Sequence, residues 1–228
     1  MWQPFARFFP SRYETLAMLD YYTQAQYGPF LKKSPTDSFE DFYQSVVTIA
    51  RECIDSDTRA LDIGCATGRL VFEYASLGAL KACGTETSDA FIHFCESLEK
   101  GAVAEVTYPI PSAGIEFMKD DICRSDLPNA SFDFISCLNV LDRVTNPTAA
   151  LASIERIITP GGILLFADPY DWELSPAPKA LHITDIKNVL HGGTWEICNE
   201  KRLVYKIPTG KNSFRDYDCH LIVARKRF

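Results

Sequence analysis

The stretch that decides the fold is A-L-D-I-G-C-A-T-G, residues 60–68. It ends an apolar strand with an acid, two glycines and small residues between them. A helical run follows at 69–75, and a second apolar strand, 80–86, ends on Glu86. This is the order of a nucleotide-binding βαβ unit, in which glycines let the backbone approach a ligand and an acid about 20 residues downstream accepts both hydrogen bonds of a ribose diol. The stretch therefore predicts a nucleotide-like cofactor at the turn.

The spacing of the glycines indicates which cofactor. A dinucleotide fingerprint, G-x-G-x-x-G, has a second glycine where a pyrophosphate approaches the helix. Here Cys65 and Ala66 follow Gly64, the next glycine is Gly68, and Asp62 would repel a pyrophosphate. A cofactor with a cationic amino acid tail fits this acid better than NAD does. A tight turn without a ligand is the alternative, and the order of the later motifs disfavours it.

This turn resembles motif I of the class I methyltransferases that use S-adenosyl-L-methionine (SAM). That motif usually reads D-x-G-x-G-x-G, and Ala66 replaces its middle glycine. The resemblance implies SAM as the cofactor and S-adenosyl-L-homocysteine as its product. It assigns cofactor binding to residues of the turn and to the acid after the second strand: Asp62, Gly64, Cys65, Ala66, Gly68 and Glu86.

Composition limits the classes of protein and of partner that fit the chain. A chain of 228 residues fits one domain with a sizeable core, and a formal net charge of −7 argues against a nucleic-acid partner. No apolar run reaches the ~20 residues of a membrane span. The eight cysteines are scattered without a C-x-x-C pair, which predicts reduced thiols, no metal site and a cytoplasmic location. The partner expected is a small-molecule substrate, and the oligomeric state stays open.

The alternation of strands and helices predicts an α/β fold with a mostly parallel, doubly wound sheet. The apolar run 163–167 is typical of a central strand. Two closing strands near 194–207 and 219–226 have no helix between them, which predicts an antiparallel hairpin. The expected architecture is a Rossmann-like class I methyltransferase fold with seven strands and N-terminal helices. We expect a single domain in which residues 1–56 form a helical cap or lid and residues 57–228 form the SAM-binding core.

Ligands of such sheets lie beyond the carboxyl ends of the strands. After the third strand, Asp121 can accept a hydrogen bond from the adenine amino group while Ile122 packs on the ring, with Asp120 as an alternative to Asp121. After the fourth strand, Asn139 can face the cofactor tail or the substrate, or it can form only an Asx turn. We assign Asn139 to both cofactor binding and catalysis.

The fifth strand is followed by a loop rich in aromatic and acidic residues, 168–173. Tyr170 and Trp172 can form a substrate pocket at the mouth of the site, and aromatic faces attract a sulfonium cation. The alternative is that both rings pack over the sheet edge. On the first interpretation, Tyr170 and Trp172 join Asn139 as candidate catalytic residues.

A narrower resemblance rests on segments spread along the chain. They are residues 12–14, 21–22, 26–28, 86–92, 121–123, 138–147, 160–162 and 169–172. Together they are similar to the C-terminal methyltransferase domain of ovothiol-biosynthesis enzymes, the 4-mercaptohistidine N-methyltransferases, over most of the chain from Tyr13 to about Arg227. The resemblance implies a free-standing enzyme that methylates an imidazole nitrogen of 5-thiohistidine. One departure concerns the substrate: the segment after Trp172, residues 174–179, is shorter than the family pattern.

An amino acid acceptor needs a cation for its carboxylate, acids for its ammonium group and flat side chains for its ring. The residues expected to supply these contacts are Arg12, Tyr13, Glu14, Arg143, Asp168, Tyr170 and Trp172. Two alternatives keep the cofactor: another small acceptor, methylated at oxygen, nitrogen or a carboxyl group, or a non-catalytic SAM-binding subunit that serves a partner.

Overall fold

The computed structural model describes residues 12–31, 42–111, 114–190, 193–210 and 213–228, with the backbone alone at residues 12, 29, 208 and 210. Six α-helices and seven strands lie in these ranges. The helices are α1 (Leu16–Tyr27), α2 (Phe42–Ala50), α3 (Arg69–Ser76), α4 (Asp89–Glu99), α5 (Pro147–Ile157) and α6 (Lys187–Leu190). The strands are β1 (Arg59–Ile63), β2 (Lys81–Glu86), β3 (Ile115–Lys119), β4 (Phe132–Leu138), β5 (Ile158–Asp168), β6 (Trp195–Gly210) and β7 (Ser213–Lys226).

The seven strands form one sheet in the order β3-β2-β1-β4-β5-β7-β6. The pairs from β3 to β5 are parallel, whereas β7 is antiparallel to both β5 and β6. The strand order reverses between β1 and β4, which is where ligands of open α/β sheets bind. The predicted fold class, including the closing hairpin, is confirmed.

The sheet is covered on both faces, as the apolar run in β5 predicts. Leu165 and Ala167 pack on the face covered by α2 and α3, while Leu164 and Phe166 pack on the face covered by α5. All four side chains are fully buried. This alternation explains why the run reads as continuously apolar: a central strand with two covered faces has no solvent side.

The strand β5 begins earlier than the sequence predicts. The segment 160–162 reads as the end of a helix, yet it lies within β5, because the pairing with β4 shifts from Phe132↔Ile158 to Phe134↔Ile163. Gly161, with φ of +80°, makes this irregularity possible. The sequence also predicts a helix that Thr184 or Asp185 caps and that runs to Leu190, whereas α6 comprises only four residues.

The hairpin is longer than predicted and extends beyond the sheet. Strand β7 pairs with β5 only up to Asp168↔His220, while its pairing with β6 continues to Gly210↔Ser213. The overhanging part turns toward the N-terminal helices, where Tyr205 is buried beside Phe42 and Tyr43 of α2. It thereby closes one side of the space above β4.

The N-terminal helices pack on the core. The sequence predicts a first helix around 12–26, and the structure has α1, which Thr15 caps. The sequence also predicts that residues 35–38 cap a second helix, but these positions lie outside the described residues. The division into a cap of residues 1–56 and a core of residues 57–228 stays a prediction. Within the described residues, no helix combines the length and the apolar character that crossing a membrane requires.

Candidate functional site

A cavity of about 340 Å³ opens at the carboxyl ends of β1, β2, β3 and β4. Eight of the residues predicted to bind cofactor or substrate line it: Tyr13, Gly64, Ala66, Glu86, Asp121, Ile122, Asn139 and Arg143. Cys65 and Gly68 belong to the same turn but do not line the cavity. Their contribution is to the shape of the turn.

The turn between β1 and α3 needs its glycines. Gly64 and Gly68 have φ values of +66° and +85°, a region that L side chains rarely adopt. A Cβ on Gly64 would lie 2.6 Å from Cγ2 of Val140. Ala66 replaces the usual middle glycine and adopts a φ of +46°. Small residues are therefore required at both glycine positions, and the turn brings its backbone to the cavity wall.

Glu86 joins this turn to the start of α4. Its Oε1 accepts hydrogen bonds from the Thr87 N–H at 2.7 Å and the Ser88 N–H at 3.2 Å, and its Oε2 accepts from the Ala66 N–H at 3.2 Å. Burial raises the pKa of this carboxyl group. These bonds fix the carboxylate at the cavity wall. Oε1 also accepts a hydrogen bond from the Thr87 hydroxyl at 3.1 Å, whereas Oε2 has a single donor and keeps lone-pair capacity for a ribose hydroxyl.

Asp62 lies directly behind the lining and is 4 % exposed. Its Oδ1 accepts a hydrogen bond from Ser136 Oγ at 2.6 Å, and Ser136 in turn accepts one from the Tyr74 hydroxyl at 2.8 Å. Burial raises the pKa of Asp62 to about 7, with a smaller contribution from the charge of Glu86. A cation bound nearby would favour the charged carboxylate, so this acid suits a positively charged cofactor tail.

We expect the stability of the ligand-free protein to fall as pH rises from about 4 to about 7. The pKa of Asp62 is about 7 in the folded chain, above the ~3.9 of an unperturbed aspartate. Between those values the folded state therefore holds a proton that the unfolded state lacks, and the free energy of unfolding decreases with pH, by about 4 kcal/mol at most. Burial raises the pKa of both Asp142 and Asp168, and the charge of Asp142 raises that of Asp168 further, which adds to the trend.

Denaturant unfolding at a series of pH values checks this expectation. Asp62→Asn should reduce the slope, whereas Asp57→Asn, at an exposed position, should leave it unchanged. A profile that is flat for the unmodified chain, or that Asp62→Asn does not alter, would contradict the role given to Asp62.

Two adjacent acids face the cavity after β3. Asp121 accepts a hydrogen bond from the Cys123 N–H at 3.1 Å, which caps the short helix Ile122–Arg124. Asp120 has a buried Oδ2 without a hydrogen-bond partner among the described residues. An adenine amino group could satisfy this oxygen, so the geometry supports the alternative residue, Asp120, more strongly than Asp121.

The opposite end of the cavity carries Asn139 and Arg143. Asn139 has a φ of +57°, and its N–H donates to the Ala167 carbonyl at 2.7 Å. Arg143 Nη1 donates to the Asp171 carbonyl at 2.9 Å, and Nη2 lies 3.3 Å from the Asp171 carboxylate. The guanidinium group is thereby held at the wall, with Nε–H left without a partner among the described residues.

Several lining residues are not predictable from the sequence because they come from distant parts of the chain. They are Tyr22 and Gln26 of α1, Tyr43 of α2 and Tyr205 of the overhanging hairpin. The Tyr43 and Tyr205 hydroxyls lie 3.3 Å apart. Burial raises the pKa of Tyr43 to about 12 and raises those of Tyr22 and Tyr205 as well. At neutral pH this end of the cavity is therefore walled by neutral phenols.

Gln26 binds helix α1 to the glycine turn. Its Nε2 donates to the Cys65 carbonyl at 3.2 Å, and its Oε1 accepts from Thr67 Oγ1 at 2.6 Å and from the Arg69 N–H at 3.2 Å. All of these groups are buried. Helix α1 is therefore a fixed wall of the site.

Of the predicted substrate contacts in the N-terminal segment, Glu14 does not line the cavity. The Glu14 carboxylate accepts hydrogen bonds from the Asp89 and Ala90 N–H groups at 3.0 and 3.2 Å, so it caps α4. The side chain of Arg12 lies outside the described residues. Tyr13, between them, does line the cavity.

The structure does not bring Asp168, Tyr170 or Trp172 to the cavity. Asp168 is fully buried and accepts hydrogen bonds from the Tyr170 and Asp142 N–H groups. The Tyr170 hydroxyl lies 2.9 Å from His220 Nδ1 on the face covered by α6. Tyr170 has a φ of +57°, and this left-handed turn directs the loop away from the site.

Trp172 packs beside the same face. Its Nε1 donates to the Ile183 carbonyl at 3.0 Å, and its ring stacks on His182 with a centroid distance of 4.5 Å. The alternative interpretation, aromatic packing at the sheet edge, describes both Tyr170 and Trp172. Their assignment to catalysis therefore has no support in the geometry.

Comparison with known proteins agrees with this arrangement. Residues 61–166, which carry the glycine turn and run to β5, match a family model described as a methyltransferase domain. Residues 61–166 are therefore similar to a methyltransferase domain, and they lie within a class I methyltransferase fold. A SAM-dependent methyltransferase structure from Methanosarcina mazei has the same fold, with a TM-score of 0.62 and 18% sequence identity over 85% of this chain and all of that one.

Curated relatives of the methyltransferase domain share part of the chain. The ubiquinone biosynthesis O-methyltransferase of Alkalilimnicola ehrlichii is 29% identical over 109 residues, 48% of this chain and 40% of the relative. Its mitochondrial counterpart in Schizosaccharomyces pombe is 31% identical over 117 residues, 51% and 39% of the two chains. The alignments thus span about two fifths of these relatives.

The residues of the cavity fit SAM. Glu86 offers fixed carboxylate oxygens for the ribose diol, and Asp120 offers an unpartnered acceptor for the adenine amino group. Asp62 offers a carboxyl group that a cationic tail would ionise. With the adenosine part at the ends of β2 and β3, the sulfonium end lies toward Asn139 and the tyrosines.

Proposed function

We propose that the chain transfers a methyl group from SAM to a small molecule, and that this acceptor is 5-thiohistidine, methylated at an imidazole nitrogen in ovothiol biosynthesis. The observation that carries the proposal is one cavity with acids for SAM at one end and Arg143 among neutral tyrosines at the other. The narrower choice of acceptor is supported by the segments shared with the ovothiol enzymes.

The protein's contribution to such a transfer is mainly orientation. SAM supplies a methyl group already activated by the positive charge on its sulfur. Glu86 and Asp120 would fix the adenosine part, while the rings of Tyr22 and Tyr43 would exclude water and stabilise the sulfonium cation. Holding the acceptor in line with the S–CH₃ bond can lower the barrier by up to ~7–11 kcal/mol.

The chemistry of the acceptor end favours a nucleophile that needs no strong base. Among the described residues that line the cavity there is no histidine or lysine, and the raised pKa values of Tyr22, Tyr43 and Tyr205 keep these phenols protonated. A thiolated imidazole has a nucleophilic ring nitrogen and thiolate character, so its N–H proton can leave to water. An alcohol or phenol would require a base to remove its proton first.

Arg143 is the proposed partner of the acceptor carboxylate. We expect Arg143→Gln to raise the KM for 5-thiohistidine about tenfold to a hundredfold, while the Kd for SAM stays unchanged. Steady-state kinetics and calorimetry measure the two quantities. Arg51→Gln, at an exposed position, is the control.

Arg143 also pairs with Asp142 and Asp171, so its loss could raise the KM by disturbing the site rather than by removing the contact to the acceptor. A second acceptor, which lacks the carboxylate, distinguishes the two effects. The amine analogue without a carboxylate should be a poorer substrate than 5-thiohistidine for the unmodified enzyme. Arg143→Gln should remove that difference. A variant that still prefers the carboxylate would contradict the assignment.

A competition between acceptors tests the proposed function. The enzyme is incubated with SAM and an equimolar mixture of 5-thiohistidine and a catechol, and the methylated products are identified by mass spectrometry. N-methylated thiohistidine is the expected product. A methylated catechol would instead support the second candidate, O-methylation of another small acceptor, which the names of the curated relatives and the short segment 174–179 favour.

All eight cysteines are free thiols in the structure. This supports our proposal that the enzyme works in the reducing cytoplasm.

A further inference from the structure

Asn139 is contacted from behind by a residue outside the cavity. Cys219 lies on β7, is fully buried and does not line the site. Its Sγ lies 3.1 Å from Oδ1 of Asn139, within hydrogen-bond distance for sulfur. The next acceptor for this thiol, the Tyr217 carbonyl, is farther away at 3.7 Å. Asn139 and Cys219 are 80 positions apart, so only the fold brings them together.

The contact fixes which atom of the amide faces the ligand. Burial raises the pKa of Cys219 well above its usual range, so the thiol is protonated and can donate. A side-chain amide has an acceptor oxygen on one side and a donor NH₂ group on the other. With Oδ1 of Asn139 directed at Cys219, the NH₂ group is left for the cavity, and it has no partner among the described residues.

The backbone leaves little other freedom to Asn139. Its φ of +57° is a left-handed conformation that asparagine tolerates, and its N–H is bonded to the Ala167 carbonyl at 2.7 Å. Because the main chain is fixed, rotation of the side-chain amide decides between a donor and an acceptor at the cavity wall. Among the described residues, Cys219 makes the hydrogen bond that restricts this rotation.

We propose that Cys219 is a positioning residue for substrate recognition. Its thiol holds the Asn139 amide so that the N–H groups point into the methyl-transfer end of the cavity. There the N–H groups donate a hydrogen bond to an oxygen or sulfur atom of the acceptor. This atom has a free lone pair and lies beside the atom that is methylated. The inference rests on the proposed function and narrows it: acceptors with a hydrogen-bond-accepting group at that place are selected over those that present only donors.

Paired substitutions test the role of the thiol. We expect Cys219→Ala to raise the KM for the acceptor about fivefold to tenfold, the effect of losing one hydrogen bond, with the Kd for SAM unchanged. Cys219→Ser keeps a donor and should restore the KM of the unmodified enzyme. Cys83→Ala, which removes a thiol from an equally buried position in β2, should leave the KM unchanged.

A second measurement does not depend on turnover. In ¹⁵N-labelled protein with bound S-adenosyl-L-homocysteine, the Asn139 side-chain NH₂ should give two resolved proton signals. Their chemical shifts should be nearly the same in Cys219→Ser and displaced in Cys219→Ala. Signals and KM that are unchanged in the alanine variant, or serine and alanine variants that behave alike, would overturn the inference. If no acceptor is methylated while the NH₂ signals behave as expected, the proposed function fails and the positioning contact stands.

Discussion

Replacement of Gly68 by alanine should abolish measurable SAM binding and lower the free energy of unfolding by about 2–4 kcal/mol. Gly68 has a φ of +85°, and a Cβ there would lie 2.8 Å from Cys95 Sγ and 2.9 Å from a ring carbon of Phe117. The added atom therefore strains the backbone and pushes the glycine turn off α4 and β3. Calorimetry with SAM and denaturant unfolding measure the two effects.

Gly78 provides a matched control for this substitution. It has a φ of +95°, yet nothing lies within 4 Å of the position that a Cβ would take. Gly78→Ala should therefore show only the backbone cost, about 1–2 kcal/mol, with SAM binding intact. Equal losses in the two variants would mean that crowding against Cys95 and Phe117 has no part in the effect.

Removal of the Glu86 carboxylate should weaken SAM binding by about 100-fold, since it removes a charged hydrogen bond to the ribose. Glu86→Ala also leaves the Ala66 N–H without its acceptor and so loosens the turn. Titration calorimetry gives the Kd directly. Glu86→Gln keeps one acceptor oxygen and should lie between the alanine variant and the unmodified enzyme.

The control for Glu86 is Glu99→Ala, which removes an exposed carboxylate from the last turn of α4. It should leave the Kd for SAM unchanged. A Glu86→Ala variant that binds SAM normally would show that this acid does not hold the ribose, and the orientation of the cofactor in the cavity would have to be reversed.

The cofactor end of the site could be predicted because its signals are local. Asp62, Gly64 and Glu86 each stand at the end of a strand, and parallel strands bring their carboxyl ends to one edge. The sequence does not indicate whether Asp120 or Asp121 is the better acceptor for the adenine amino group. The choice depends on which carboxylate caps the next turn, and only the structure shows that Asp121 does so.

The acceptor end could not be predicted in the same way. Tyr43 and Tyr205 come from α2 and from the part of the hairpin that overhangs the sheet, and no short-range pattern relates them. The length of the overhang was also not predicted, because the residues of β7 beyond its pairing with β5 do not alternate regularly between apolar and polar side chains. Tyr170 was predicted to lie at the site because it follows the end of β5. Its left-handed backbone conformation instead directs the side chain away from the cavity.

Titration calorimetry of the unmodified protein with SAM tests the central claim most directly, because every assignment in the cavity depends on that cofactor. We predict saturable binding at a single site, with displacement by S-adenosyl-L-homocysteine and loss of binding in Gly68→Ala. Absence of binding in the unmodified protein, or binding that Gly68→Ala and Glu86→Ala both leave unchanged, would contradict the account of the site.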